Sequence, residues 1–258
     1  MKVHIIVDST VDMPERCREQ VQVVPLTVRF GTEEFIDGVT LDKHRFYEKL
    51  VESDQLPTTS QATPQDFYRL FRQVAEAGDA AVVITISAAL SGTWQSACIA
   101  AEGYEDCICL VDSLNVCIGE QNLIMYAVRL REQGLSAPEI AALLNHKKHD
   151  ICLVAVFDTL EYLKQGGRIS KTAAWAGSVL SIKPVISILK GEVAILGKAR
   201  GSKNGNNMLI QNVQQSGGID FSMPYCLGYS GLDDTLLQKY IEDSRALWEG
   251  KTDDLPIS

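Results

Sequence analysis

The stretch Ala81-Val82-Val83-Ile84-Thr85-Ile86-Ser87 is apolar almost without interruption, rich in β-branched side chains, and closed by a hydroxyl. A strand with one wet face alternates between apolar and polar residues. A run without alternation predicts a strand covered on both faces, as in a parallel sheet flanked by helices. Comparable runs lie at Val3 to Val7, Val21 to Phe30, Ile108 to Val111 and Ile151 to Phe157, with helical patterns between them. Thr63-Pro64-Gln65-Asp66 combines a hydroxyl N-cap, a proline at the first helical position and an acid in the first turn. Phe67, Leu70, Phe71 and Val74 follow at i, i+3, i+4 and i+7, one apolar stripe to face the sheet. Ser136 and Glu139 have capping-box spacing, and Gly134 can end the helix running from Gln121. The first 158 residues therefore read as an α/β domain with a parallel sheet.

Beyond residue 158 the pattern changes. Pro184 to Leu189 and Val193 to Lys198 flank Lys190-Gly191-Glu192, which reads as a hairpin and not a crossover. Helices are expected at Thr172 to Leu180, Asn206 to Gln214 and Thr235 to Trp248, with one more strand at Tyr225 to Tyr229. Residues 159–258 are expected to form an α+β domain with a mixed sheet.

Composition narrows the function classes. Of 258 residues, 46% are hydrophobic and 22% charged, a globular balance. Lys plus Arg is 24 against 33 Asp plus Glu, a formal net charge of -9, and no basic run occurs; nucleic-acid binding needs the opposite field. The longest apolar runs fall well short of the roughly 18 residues of a membrane span, and the amino terminus lacks signal-peptide features. A cytoplasmic protein is expected. The seven cysteines are an odd number and sit mostly in apolar strings, which suits reduced, buried thiols. Cys107 and Cys109 have the spacing to share one face of a strand, but no further Cys or His completes a zinc set. The four histidines, His4, His44, His146 and His149, fall at a strand start or on polar helical faces, and nothing resembles the base of a catalytic triad.

Several strands end in small polar residues: Asp8-Ser9-Thr10, Ser87, Asp112-Ser113 and Asp158-Thr159. Ligands of open parallel sheets collect at that edge. Such residues also serve as caps and turns, and Asp8 and Asp112 fit that use as well as a carboxylate pair for acid–base work or Mg²⁺. Thr58-Thr59-Ser60-Gln61 places three hydroxyls and an amide together. In Leu90-Ser91-Gly92-Thr93, between a strand and a helix, the Ser91 hydroxyl and the N–H groups of Gly92 and Thr93 can converge on one carboxylate or phosphate. Gly166-Gly167-Arg168 sets a guanidinium after two glycines, either for an anion or as a helix end with Arg168 in solvent.

Taken in order, Ile5-Ile6-Val7-Asp8-Ser9-Thr10, Val24-Pro25-Leu26, Phe35-Ile36-Asp37-Gly38-Val39, Pro57-Thr58-Thr59-Ser60-Gln61, Leu90-Ser91-Gly92-Thr93, Val111-Asp112-Ser113, Leu160-Glu161-Tyr162-Leu163, Gly166-Gly167-Arg168-Ile169 and Ile182-Lys183-Pro184 resemble the DegV family of fatty-acid-binding proteins. The resemblance spans residues 3 to about 200. It implies two domains with a long-chain fatty acid, palmitate-like or oleate-like, lying between them. Residues 1–158 would carry the head-group site and residues 159–258 would line the acyl tunnel, with Ala173 to Leu180 and Val185 to Leu189 as its best candidates. The carboxylate would be held by Thr59 and Ser91, with Ser60, Gly92 and Thr93 beside them. Arg168 and Arg200 would pair with the head group or with phosphate at a separate fatty acid kinase. The chain would then be a carrier in phospholipid metabolism, needing no cofactor, and touching a membrane surface only transiently. Family members continue past Leu255-Pro256-Ile257 into a final strand and a His before Gly-Pro-Gly. The sequence stops at Ser258, so the resemblance implies a shortened carboxyl end, with delivery to the kinase in question and lipid binding retained. The competing reading is an enzyme or regulator that binds another small anionic metabolite at the same hydroxyls.

Overall fold

The computed structural model describes residues 1–13, 15–53, 55–169, 182–252 and 255–258. The chain separates into two compact units, Met1–Ile151 and Cys152–Ser258. In chain order the first unit contains β1 (Val3–Asp8), α1 (Glu15–Arg18), β2 (Gln22–Val24), β3 (Thr27–Phe30), β4 (Glu33–Ile36), α2 (Lys43–Glu52), β5 (Thr58–Ser60), α3 (Pro64–Glu76), β6 (Ala80–Thr85), α4 (Thr93–Ala101), β7 (Ile108–Asp112), α5 (Cys117–Glu132) and α6 (Ala137–Lys147).

Its main sheet is parallel, in the order β2-β1-β6-β7. The unalternating runs are explained by cover on both faces. Ile5, Val7, Val82 and Ile84 pack with Leu123, Ile124, Ile140 and Leu144 of α5 and α6. Ile6, Ala81 and Val83 pack on the other face with Phe67, Phe71 and Val74 of α3 and Ala97 and Ala100 of α4. The α3 stripe is thus the buried one, and the expected Thr63 cap is completed by Asp66 into a capping box.

The run Val21 to Phe30 becomes two strands in two sheets, broken at Pro25, which has no N–H to give a ladder. β2 pairs with β1, whereas β3 joins an antiparallel sheet in the order β4-β3-β5. Ser9 takes over part of the junction, its Oγ accepting the Leu26 N–H at 2.9 Å. Cys107 and Cys109 do not share a face. Strand β7 starts at Ile108, so Cys107 lies outside the alternation and packs with the α3–α4 cluster while Cys109 packs with the α5–α6 cluster.

The second unit contains β8 (Val154–Val156), α7 (Glu161–Gln165), β9 (Ile182–Leu189), β10 (Glu192–Arg200), α8 (Gly201–Gln215) and α9 (Thr235–Asp243). The sequence reading put the run Ile151 to Phe157 at the end of the first domain. Its strand β8 instead pairs antiparallel with β9, and the boundary falls at residue 151 rather than 158. The three strands form one sheet, β10-β9-β8, antiparallel at both pairings where a mixed sheet was expected. The hairpin between β9 and β10 turns on Lys190 and Gly191, with φ of 53° and 84°, the left-handed pair of a tight hairpin turn. Val185 packs with Leu209, Tyr240 and Trp248, and Ile186 with Leu160 and Ile169, so β9 serves the core of its own unit. The expected strand Tyr225 to Tyr229 is a single parallel bridge, Leu227 to Ile257. The expected helix to Trp248 stops at Asp243, followed by a 3-10 turn over Arg245–Leu247. The expected helix Thr172 to Leu180, with its proposed tunnel lining, lies outside the described residues. Among the described residues no helix is long and apolar enough to cross a membrane.

Candidate functional site

The chain leaves β1, adds β2 on one side, and later returns to add β6 on the other. Reversal of strand order opens a crevice at the carboxyl ends of the two strands, the place where ligands of parallel sheets bind. Two loops flank it, Asp8-Ser9-Thr10 after β1 and residues 86–92 after β6.

Asp8 ties the loops together. The carboxyl is fully buried; Oδ1 accepts the Thr10 N–H at 2.9 Å and Oδ2 accepts the Ile86 N–H at 2.8 Å. Burial pushes this carboxyl above the usual range, against the opposing pull of the bonds from Thr10 and Ile86. Thr10 Oγ1 lies 2.6 Å from Asp8 Oδ1 and 3.2 Å from Glu120 Oε2. Ser9 Oγ donates to Asp37 Oδ2 at 2.7 Å, and burial pushes that carboxyl up as well.

The second loop is a tight turn. The Ser87 N–H donates to the Asn115 carbonyl at 2.9 Å, and the Ser87 carbonyl accepts the N–H groups of Leu90 and Ser91 at 2.9 and 3.2 Å. The turn delivers Ser91 to the start of α4. Ser91 Oγ and Thr93 Oγ1 are 2.9 Å apart, and Ser91 Oγ also accepts the Thr93 N–H at 3.2 Å. Gly92 is the N-cap and has no side chain to offer. A Cβ there would lie 1.9 Å from Gln61 Oε1, so any other residue would push the Gln61 amide aside. The Gln61 amide covers Gly92 and donates through Nε2 to Ser96 Oγ at 2.9 Å. Two rotatable hydroxyls at a helix amino terminus, with its N–H groups and the positive end of its dipole, suit a singly charged anion.

Of the residues singled out from sequence, Ser91, Gly92 and Thr93 form one cluster, and Gln61 links it to the end of β5. Thr59 and Ser60 are exposed on β5, facing Val28 and Thr27 of β3 in register. Arg168 and Arg200 belong to the second unit and are exposed. Gly166 and Gly167 close α7: Gly167 has φ of 74°, and the Arg168 N–H bonds the Leu163 carbonyl at 2.9 Å. This is a left-handed helix cap, and Arg168 Nη1 turns back to the Gly166 carbonyl. Arg200 stands at the end of β10 just before α8.

Asp112 and Asp8 both act as acceptors for the loop after β6, Asp8 through Ile86 and Asp112 through Ala88, and Asp112 Oδ1 also holds the Leu114 N–H. Among the described residues no group of three or more His, Cys, Asp or Glu side chains is placed to hold a metal ion. Sequence reading missed Ser96 and Glu120. Glu120 sits in Gly119-Glu120-Gln121-Asn122, which looks like a solvated helical face, yet residues 119–121 are all buried. Burial pushes the Glu120 carboxyl well above the usual range, with Asp8, Asp12 and Asp112 adding to the shift.

Residues 2–258 match a family model described as "Uncharacterised protein, DegV family". A DegV domain-containing protein of Caldanaerobacter subterraneus subsp. tengcongensis is 34% identical over 224 residues, covering 86% of this chain and 79% of the relative. The solved structure of a fatty-acid-binding DegV family protein from Thermus thermophilus superposes with a TM-score of 0.83 at 30% identity, covering 100% of this chain and 90% of that one. The Streptococcus pneumoniae Fatty Acid Kinase (Fak) B3 protein, solved with linoleic acid, superposes at 0.82 with 25% identity, covering 100% and 92%.

Proposed function

This chain belongs to the DegV family, and we propose that it binds a long-chain fatty acid and carries it, without catalysis of its own, to a separate kinase that phosphorylates the carboxylate. The observation that carries the reading is the Ser91–Thr93 pair, 2.9 Å apart at the amino terminus of α4, beside the strand-order crevice. A carboxylate leaving water must keep hydrogen bonds to its charged form. Hydroxyls and helix N–H groups supply them without a buried ammonium. Thr59 and Ser60 join the head-group set in this reading. Thr59 and Ser60 lie two residues or fewer before Gln61, whose amide bonds Ser96 of α4. Arg168 and Arg200 are assigned to the carboxylate or to phosphate during transfer. The fatty acids bound by the Thermus and Streptococcus relatives support the ligand class. The kinase partner is supported by the likeness to the Streptococcus protein.

The energetics favour a long chain. Each methylene moved from water to apolar surroundings contributes about 0.8 kcal/mol, so about 14 to 18 carbons offset a modest head-group site and the cost of association. Mass spectrometry of an organic extract, with native mass spectrometry of the intact protein, tests the reading. A stoichiometric long-chain fatty acid is expected. An empty protein that also fails to take up added fatty acid overturns it, and uptake of a phosphorylated metabolite in its place would point to the competing anion-binding reading.

A further inference from the structure

Thr10 has one hydroxyl hydrogen and two carboxyl neighbours. Its Oγ1 lies 2.6 Å from Asp8 Oδ1 and 3.2 Å from Glu120 Oε2, and a hydroxyl can donate only once. The shorter contact, to a carboxylate oxygen, takes the hydrogen. The longer one then sets lone pair against lone pair, unless Glu120 brings a hydrogen of its own. Both acids are fully buried, and among the described residues Glu120 Oε1 has no hydrogen-bond partner. A buried carboxylate tolerates that far worse than a neutral carboxyl group.

We infer that Glu120 is held as the neutral acid, its O–H donating to Thr10 Oγ1, and that it is a positioning residue for the Ser91–Thr93 hydroxyls through Thr10, Asp8 and Ile86. The chain of bonds is continuous. Asp8 Oδ2 holds the Ile86 N–H at 2.8 Å, and the next residue, Ser87, anchors the turn whose carbonyl takes the Leu90 and Ser91 N–H groups. Ionising Glu120 would leave two carboxylates competing for one Thr10 hydrogen, and Asp8 would loosen its hold on the turn.

The acids around Glu120 act in one direction, and the Thr10 hydroxyl pulls the other way. Asp8 from β1, Asp12 from the loop after it, and Asp112 from β7 all oppose a charge on Glu120. The Cys117 thiol at the start of α5 is itself pushed up by burial, Asp12 and Glu120. Asp37 lies beyond Asp8 and raises it further. Of the cations beside these acids, Lys43 of α2 pairs with Asp12 at 3.2 Å, and Lys148 donates to the Asp112 carbonyl at 3.0 Å.

The inference rests on the proposed function only for what Ser91 binds, so its test is read on the delipidated full chain. Infrared difference spectra of wild type against Glu120→Gln should show, near neutral pH, a protonated-carboxyl stretch that the variant lacks. Amide exchange at Ile86, Leu90 and Ser91 should be about tenfold faster in Glu120→Ala, the loss of one link in the chain. Glu120→Gln, whose amide can still donate to Thr10, should restore slow exchange. Alkaline pH should speed these amides in wild type beyond ordinary base catalysis, and not in Glu120→Gln. Should Glu120→Ala fail to fold, Thr10→Val breaks the same link and must speed the same amides. A missing carboxyl band, wild-type exchange in the alanine and valine variants, or exchange in Glu120→Gln as fast as in Glu120→Ala would overturn the inference. A protein that shows the band and the exchange pattern yet binds no fatty acid would sink the carrier reading and leave Glu120 in its role.

Discussion

Ser91→Ala separates head-group recognition from helix capping by magnitude. The substitution removes the oxygen that accepts the Thr93 N–H at 3.2 Å and meets Thr93 Oγ1 at 2.9 Å. Thr93 is fully buried, so its hydroxyl loses a partner that water does not fully replace. That is one modest hydrogen-bond set, about 1 kcal/mol, or a melting point lower by about 2–4 °C. A hydrogen bond to a carboxylate is worth more, about 1.5–3 kcal/mol, so fatty-acid affinity should fall about 10- to 150-fold. The two effects can be read in one set of scans. Fatty acid at about a hundred times the wild-type Kd stabilises the wild type by about 2.7 kcal/mol; a tenfold weaker variant keeps about 1.4 and a hundredfold weaker one about 0.4. Differential scanning calorimetry with and without fatty acid measures this, and a fatty alcohol of equal length serves as a neutral-head control that should bind both proteins alike. A lowered melting point with unchanged affinity would refute the reasoning and leave Ser91 as part of a cap.

Gly92→Ala should uncouple stability from binding: the new Cβ displaces the Gln61 amide and breaks its bond to Ser96, while loss of glycine freedom in the unfolded chain offsets about 0.4–1 kcal/mol. Melting should move little and fatty-acid affinity should drop about tenfold; unchanged titration curves would show that the Gln61 bridge does not shape the site. Arg168→Ala should impair phosphorylation by a fatty acid kinase more than it impairs lipid binding, and equal losses in the two assays would contradict the assignment. Thiol labelling of the folded protein should start at exposed Cys152, with half-buried Cys117 lagging well behind it because its surroundings and neighbouring acids disfavour its thiolate. Modification of Cys117 as fast as that of Cys152, located by peptide mapping, would contradict this.

Much of the first unit was legible locally. The unbroken apolar run at residues 81–86 already meant cover on two faces, and Thr63 to Val74 carried both the start and the buried stripe of α3. Lys190-Gly191 announced its hairpin, and Ser91-Gly92-Thr93 stood out as an anion-shaped turn. Such features depend on residues within a few positions of one another, where backbone sterics, capping and side-chain periodicity act. Partner choice and the burial of polar groups depend on distant residues. β8 looked like a further parallel strand until its pairing with β9 was seen. Pro25 divided one run between two sheets. Nothing near Glu120 in the chain shows that Thr10, 110 positions away, lies against it. Asp8 meets Ile86 across 78 positions. Hydrophobic pattern decides which face of an element turns inward, but which acids meet beneath a site follows from loop closure and packing over long separations, and these are settled only when the whole core assembles.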